Sequence, residues 1–141
     1  MTFDPPDYDE SYTEWAYRQG RSEEAPVVIN GLTLFSEELE KFRKALKRKS
    51  STRVRHLSSN LIYRSYLCPL PEYGWSFGYE EDEIGELLER IREFLQKIIR
   101  TTIKMKKSIR RIHRSNLRYL ISDLKALISK AETGYDQLEG E

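Results

Sequence analysis

Cysteine is nearly absent from this chain of 141 residues, and Cys68 standing alone excludes a disulfide framework within one molecule. With only His56 and His113 beside it, the residues for a zinc cluster are missing too, and no cofactor is implied. No apolar run approaches the roughly 20 residues needed to span a bilayer. The opening Met1-Thr2-Phe3-Asp4 has the form of neither a signal peptide nor a myristoylation site. A soluble intracellular protein is expected, in the cytoplasm or at the inner membrane surface. Catalytic signatures are missing as well. His113 lies in a basic run with no neighbouring carboxylate or thiol, which reads as a solvated or N-terminally paired side chain, and Cys68 precedes Pro69 with no nearby histidine. A non-enzymatic protein is the expectation.

What is present is charge, in blocks. Net charge is only +1, yet residues 1–40 carry a net of −8 and residues 41–71 hold nine Lys/Arg with no acid. Residues 72–93 return to −6, residues 94–122 again hold nine cations and no acid, and residues 123–141 close at −3. Such blocks either pair with one another or form basic faces for an anionic partner.

The length and a hydrophobic content of 38% predict one folded unit of mainly α class. Residues 1–25, acidic and without periodicity, read as a disordered arm; residues 26–135 read as a single mainly helical domain, and 136–141 as a tail. Asn30-Gly31 between Val27-Val28-Ile29 and Leu32-Thr33-Leu34 suggests a short β-hairpin over 26–35. Ser36 would cap the following helix, and Ser50-Ser51-Thr52 interrupts the helical pattern of 37–67. Cys68-Pro69-Leu70-Pro71 ends it.

From Glu81 to Ala131 there is no proline. Ile84, Leu88, Ile91, Leu95, Ile98, Thr102, Met105, Ile109 and Ile112 recur at spacings of four and three, the seam of a coiled coil or antiparallel helical hairpin. The apolar set then shifts by one to Leu117, Leu120, Ile121, Leu124, Leu127, Ile128 and Ala131, so His113-Arg114-Ser115-Asn116 marks a stutter or a break. One long helix and two packed helices both satisfy the pattern. The seam can also join copies into a homo-oligomer.

One residue out of phase with the seam run Lys97, Arg100, Lys104, Lys107, Arg111, Arg114 and Arg118, an outward stripe without an acid. It suits lipid headgroups or the phosphates of RNA or a ribonucleoprotein. Single-strand readers interleave aromatics with such cations, and residues 97–118 contain none, which favours lipid or non-specific phosphate contact.

Pro5-Pro6-Asp7-Tyr8 matches P-P-x-Y, the ligand of WW domains. Its prolines hold a polyproline II segment against an aromatic groove, and Tyr8 fills a second pocket. Leu70, Pro71 and Tyr73 form a weaker L-P-x-Y variant. An acidic arm with P-P-x-Y followed by Val28-Ile29-Asn30-Gly31 resembles the start of enveloped-virus matrix proteins, notably of rhabdoviruses. That resemblance implies a late domain in which Pro5, Pro6 and Tyr8 recruit a WW-domain ubiquitin ligase for budding, and a place in the virion. The expected function is therefore a viral matrix-like or budding-accessory protein that contacts anionic membrane or ribonucleoprotein through a basic helix. The alternative is a small viral or regulatory accessory protein that binds and inhibits a host or polymerase protein through its helical surface. A peptide of residues 1–17 should bind a WW domain, and Tyr8→Ala should abolish that binding in a fluorescence titration, because the second pocket is left empty.

Overall fold

The computed structural model describes residues 10–70, 81–102 and 106–139. They form four helices: α1 (Glu10–Arg48), α2 (Ser51–Tyr66), α3 (Glu81–Thr101) and α4 (Lys107–Glu139). Among the described residues there is no strand.

The hairpin expected over 26–35 is helix, and so is the part of the expected arm from Glu10 onward. Ala25, Val28, Leu32, Phe35, Leu39, Phe42 and Leu46 repeat at spacings of three and four and are all buried. A hairpin at Asn30-Gly31 would break that stripe in its middle, so continuous burial of one helical face overrides the local turn preference. Pro26, inside α1, gives up a backbone hydrogen bond, a loss of about 3 kcal/mol in a helix interior that the flanking buried residues offset. Ser36 does not cap a helix. It is buried inside α1, where its hydroxyl donates to the Thr33 carbonyl at 2.8 Å.

Gly31 has a packing role instead of a turn role. A β-carbon there would lie 2.7 Å from Cδ of Pro69, so only glycine lets α1 pass this close to the segment leaving α2. At the other end of α2, Ser50 accepts a hydrogen bond from the Arg53 amide at 3.2 Å, which caps the helix at the expected interruption.

The region 81–131 is two helices, and they part between Thr101 and Lys107, not at His113–Asn116. Thr101-Thr102 supplies the reason: β-branched residues are weak helix formers, and both hydroxyls donate back to carbonyls, Thr101 to Lys97 and Ile98, Thr102 to Ile99. Ile84, Leu88, Ile91, Leu95, Ile98 and Thr102 are buried as the seam requires, whereas Ile112, beyond the break, is 57% exposed. The buried seam is occupied within the single chain by facing helices.

α1 lies mainly along α4 and α2 mainly along α3. Arg110 near the start of α4 reaches the last carbonyls of α1, and Glu132 and Asp136 near the end of α4 share a cleft with Pro26 and Asn30, so this pair is antiparallel. In the other pair, Arg55 donates to Thr102 and Arg92 to Ser65, which is antiparallel again. α2 is held partly by polar contacts: the buried Ser58 hydroxyl donates to the Leu95 carbonyl at 2.9 Å, its small side chain allowing close approach. The Arg92 guanidinium lies 4.3 Å from the centre of the Tyr66 ring.

Gly31 and Gly85, both inside helices, give opposite expectations. A β-carbon at Gly85 would meet nothing within 4 Å, so Gly85→Ala should raise stability by about 0.5–1 kcal/mol through helix propensity. Gly31→Ala should lower it, since displacing Pro69 costs about 1–3 kcal/mol, the range for overpacking, and exceeds the same propensity gain. Paired thermal melts check both.

Candidate anion-binding site

The up-and-down path of the chain sorts its charge blocks. The α1–α2 junction at 49–50 and the junction between α3 and α4 lie at the same end of the bundle, because α1 and α4, and α2 and α3, are antiparallel. Both acid-free blocks therefore meet there. Lys44, Lys47, Arg48, Lys49, Arg53 and Arg55 come from around the first junction, and Lys97, Arg100, Lys106, Lys107 and Arg111 from around the second, all exposed. Glu83, Glu86, Glu132 and Asp136 lie toward the opposite end, also exposed.

The expected stripe is thus not one ladder. Lys97 and Arg100 stand on α3, Lys107, Arg111, Arg114 and Arg118 on α4, and Lys104 lies outside the described residues. Arg114 is also not outward: it is half-buried, and its Nε is sealed from solvent without a hydrogen-bond partner. Two cations missing from the stripe belong to this end. Arg110 donates from Nη1 to the carbonyls of Leu46 at 2.8 Å and Lys49 at 2.7 Å, so it caps α1 with a positive charge where the helix dipole is negative. Arg43 faces α4 across the pair and is gripped by Glu40, with Nη2 donating to Oε1 at 2.6 Å and Nε at 3.1 Å. That hydrogen bond, with help from the Arg43, Lys125 and Lys44 charges, holds the Glu40 carboxyl below its ordinary range against the opposing effect of burial.

Two clefts open at these residues. One of about 240 Å³ is lined by Arg43, Arg111, Arg114, Ser115 and Arg118. A wider one of about 700 Å³ is lined by Lys41, Arg43, Lys44, Ala45, Lys47, Arg48, Lys49 and Arg114. Neither lining includes a carboxylate, so both favour an anion. A third cleft, of about 520 Å³, lies between α1 and α2 and is largely apolar, with Leu34, Phe35, Tyr63 and Leu67 in its walls.

The other sequence candidates separate. Pro5, Pro6, Tyr8, Pro71 and Tyr73 lie outside the described residues, while Leu70 is 40% exposed just after α2. Burial pushes the Cys68 thiol up to about 11, against a smaller opposing pull from Arg92, so it is protonated at neutral pH and a poor nucleophile. No helix among the described residues is long and apolar enough to cross a membrane.

His113 is buried, contrary to the solvated alternative. Its ring meets Phe94 edge-on at 5.5 Å, and Nε2 lies 3.0 Å from the Thr101 hydroxyl. That hydroxyl also reaches the carbonyls of Lys97 and Ile98, each at 3.1 Å, and the other ring nitrogen, Nδ1, is left without a partner. Burial, and then the charge of Lys97, lower the His113 pKa. The unfolded chain therefore takes up this proton first. Stability is intact above about pH 6.5, the ordinary histidine value, and is lost as pH falls from there toward the depressed folded value. Melting temperature should drop across that window in wild type and stay level in His113→Gln. No protein-family model, curated protein or solved structure matches this chain, which leaves the converging cations as the feature its function has to explain.

Proposed function

We propose that this protein is a non-enzymatic adaptor of the matrix or budding-accessory kind, which lays the basic end of its bundle on an anionic membrane. The observation that carries the reading is the convergence of two acid-free blocks, distant in sequence, on one end of the fold. An end-on cluster of flexible cations suits a flat layer of headgroups, where each Lys or Arg near the surface contributes about 1 kcal/mol. Residues 41–55 and 97–118 include only Phe42 as an aromatic, and it is buried, so the stacking platform of a single-strand reader is missing from these segments.

The WW-ligand motif fits the same reading. The chain enters α1 at Glu10, which at 1.5 Å per residue is about 57 Å along the helix from its basic end at Arg48. Pro5, Pro6 and Tyr8 precede that entry in sequence and lie outside the described residues. A second reading, an accessory protein that binds and inhibits a host or polymerase protein, is favoured by the apolar cleft between α1 and α2, beside which Leu34, Tyr63 and Leu67 are exposed.

Flotation with phosphatidylserine vesicles tests the membrane reading. Replacing Lys47, Arg48, Lys49 and Lys107 with Gln should preserve helicity and weaken vesicle binding by about 1 kcal/mol per cation. The difference should shrink as salt rises. RNA binding that falls steeply with salt, without flotation, would move the assignment to ribonucleoprotein.

A further inference from the structure

Within the basic end, the smaller cleft differs from a general cationic surface in being concave, lined by arginine and already organised. Arg111, Arg114, Ser115 and Arg118 follow one another at spacings of three, one and three, which puts them on one face of α4. Arg43 closes the cleft from α1, and its Glu40 fork fixes the guanidinium before any ligand arrives while leaving Nη1 for another acceptor. Arg114 contributes the second observation. It is half-buried and lines both basic clefts, and because its Nε is sealed from solvent, only the terminal nitrogens of its guanidinium are left to meet an acceptor in the cleft.

We propose that this cleft is a subsite for a terminal phosphate monoester, presented by a lipid headgroup; the proposal rests on the membrane reading of the basic end. Four guanidiniums against the single Glu40 carboxylate leave an excess of positive charge suited to a dianion. A phosphate monoester is largely a dianion at neutral pH, with three terminal oxygens to accept the forked donors of arginine. The volume of about 240 Å³ equals about eight waters at 30 Å³ each, room for a phosphate group and its ester oxygen. A phosphodiester carries one charge and a substituent on both sides, so it meets fewer of these donors in a concave site. Lysines would supply charge without planar forks; every cation lining this cleft is an arginine.

The test uses the full chain with phosphatidylcholine vesicles containing either phosphatidic acid, a monoester, or phosphatidylglycerol, a diester, adjusted to equal zeta potential. Soluble glycerol 3-phosphate is titrated in parallel by calorimetry. Wild type should prefer phosphatidic acid by at least about fivefold, the equivalent of one further cation engaged. Arg111→Gln with Arg118→Gln, both exposed positions, should bring the preference to unity while vesicle binding persists through the remaining cations. Lys47→Gln with Lys107→Gln should weaken both lipids equally and keep the ratio. Equal affinity of wild type for the two lipids, or a preference that survives in the arginine double variant, overturns the subsite and leaves the membrane reading standing. If neither vesicle is bound but glycerol 3-phosphate titrates in wild type and not in the arginine variant, the monoester subsite stands and the membrane reading falls. No binding in any arm overturns the subsite.

Discussion

Packing α1 against α4 in antiparallel fashion brings the C-terminal turn of one, dense in Lys and Arg, against the equally basic start of the other. Arg110 is what makes that contact tolerable. Its guanidinium takes up the otherwise orphan carbonyls of Leu46 and Lys49, so a cation of α4 is attracted into the end of α1 where simple charge counting foresees repulsion. Arg55, donating from Nε to the Thr102 hydroxyl, likewise ties a cation of α2 to the end of α3. Two arginines thereby serve the fold, and the exposed cations around them face solvent with few carboxylates nearby.

The legible part of the fold is the part whose periodicity is long. Ile84, Leu88, Ile91, Leu95 and Ile98 announce a buried helical face, and Ser50-Ser51-Thr52 announces an interruption, because each depends only on neighbours within a few residues. Asn30-Gly31 misleads for the same reason. Its turn preference is local, whereas the demand that keeps it helical comes from Leu32 and Val28 on the buried face and from Pro69 pressed against the missing β-carbon. The break after Thr102 is written in Thr101-Thr102, but an apolar phase that runs on through Ile109 and Ile112 hides it. Only the 57% exposure of Ile112 shows that the continued spacing does not correspond to packing there.

The candidate site was half legible. Arg111, Arg114 and Arg118 follow from helical spacing on α4 alone. Arg43 does not, since it belongs to a block some 70 residues earlier and meets them only through the antiparallel α1–α4 pairing. Its signal in the sequence is the Glu40 three residues before it, an ordinary surface ion pair in isolation that becomes a positioning device once α4 lies alongside. The charge blocks were visible, but their convergence required knowing that the chain reverses direction between them.

The same reversal sets how far the basic end is felt. α2 and α4 present their N-termini there and α1 and α3 their C-termini, so the helix dipoles oppose one another and largely cancel. The field comes from side chains, most of them exposed and screened over about 8 Å at physiological salt. With a net charge of only +1, the molecule has no strong long-range pull toward an anionic partner. It does have unlike ends, and near a negatively charged surface that difference favours the orientation with the α1–α2 and α3–α4 junctions inward. Charge placed this way acts by orienting the bundle at contact, and affinity is left to the short-range bonds that arginines such as Arg111 and Arg118 can form once the ends have sorted themselves.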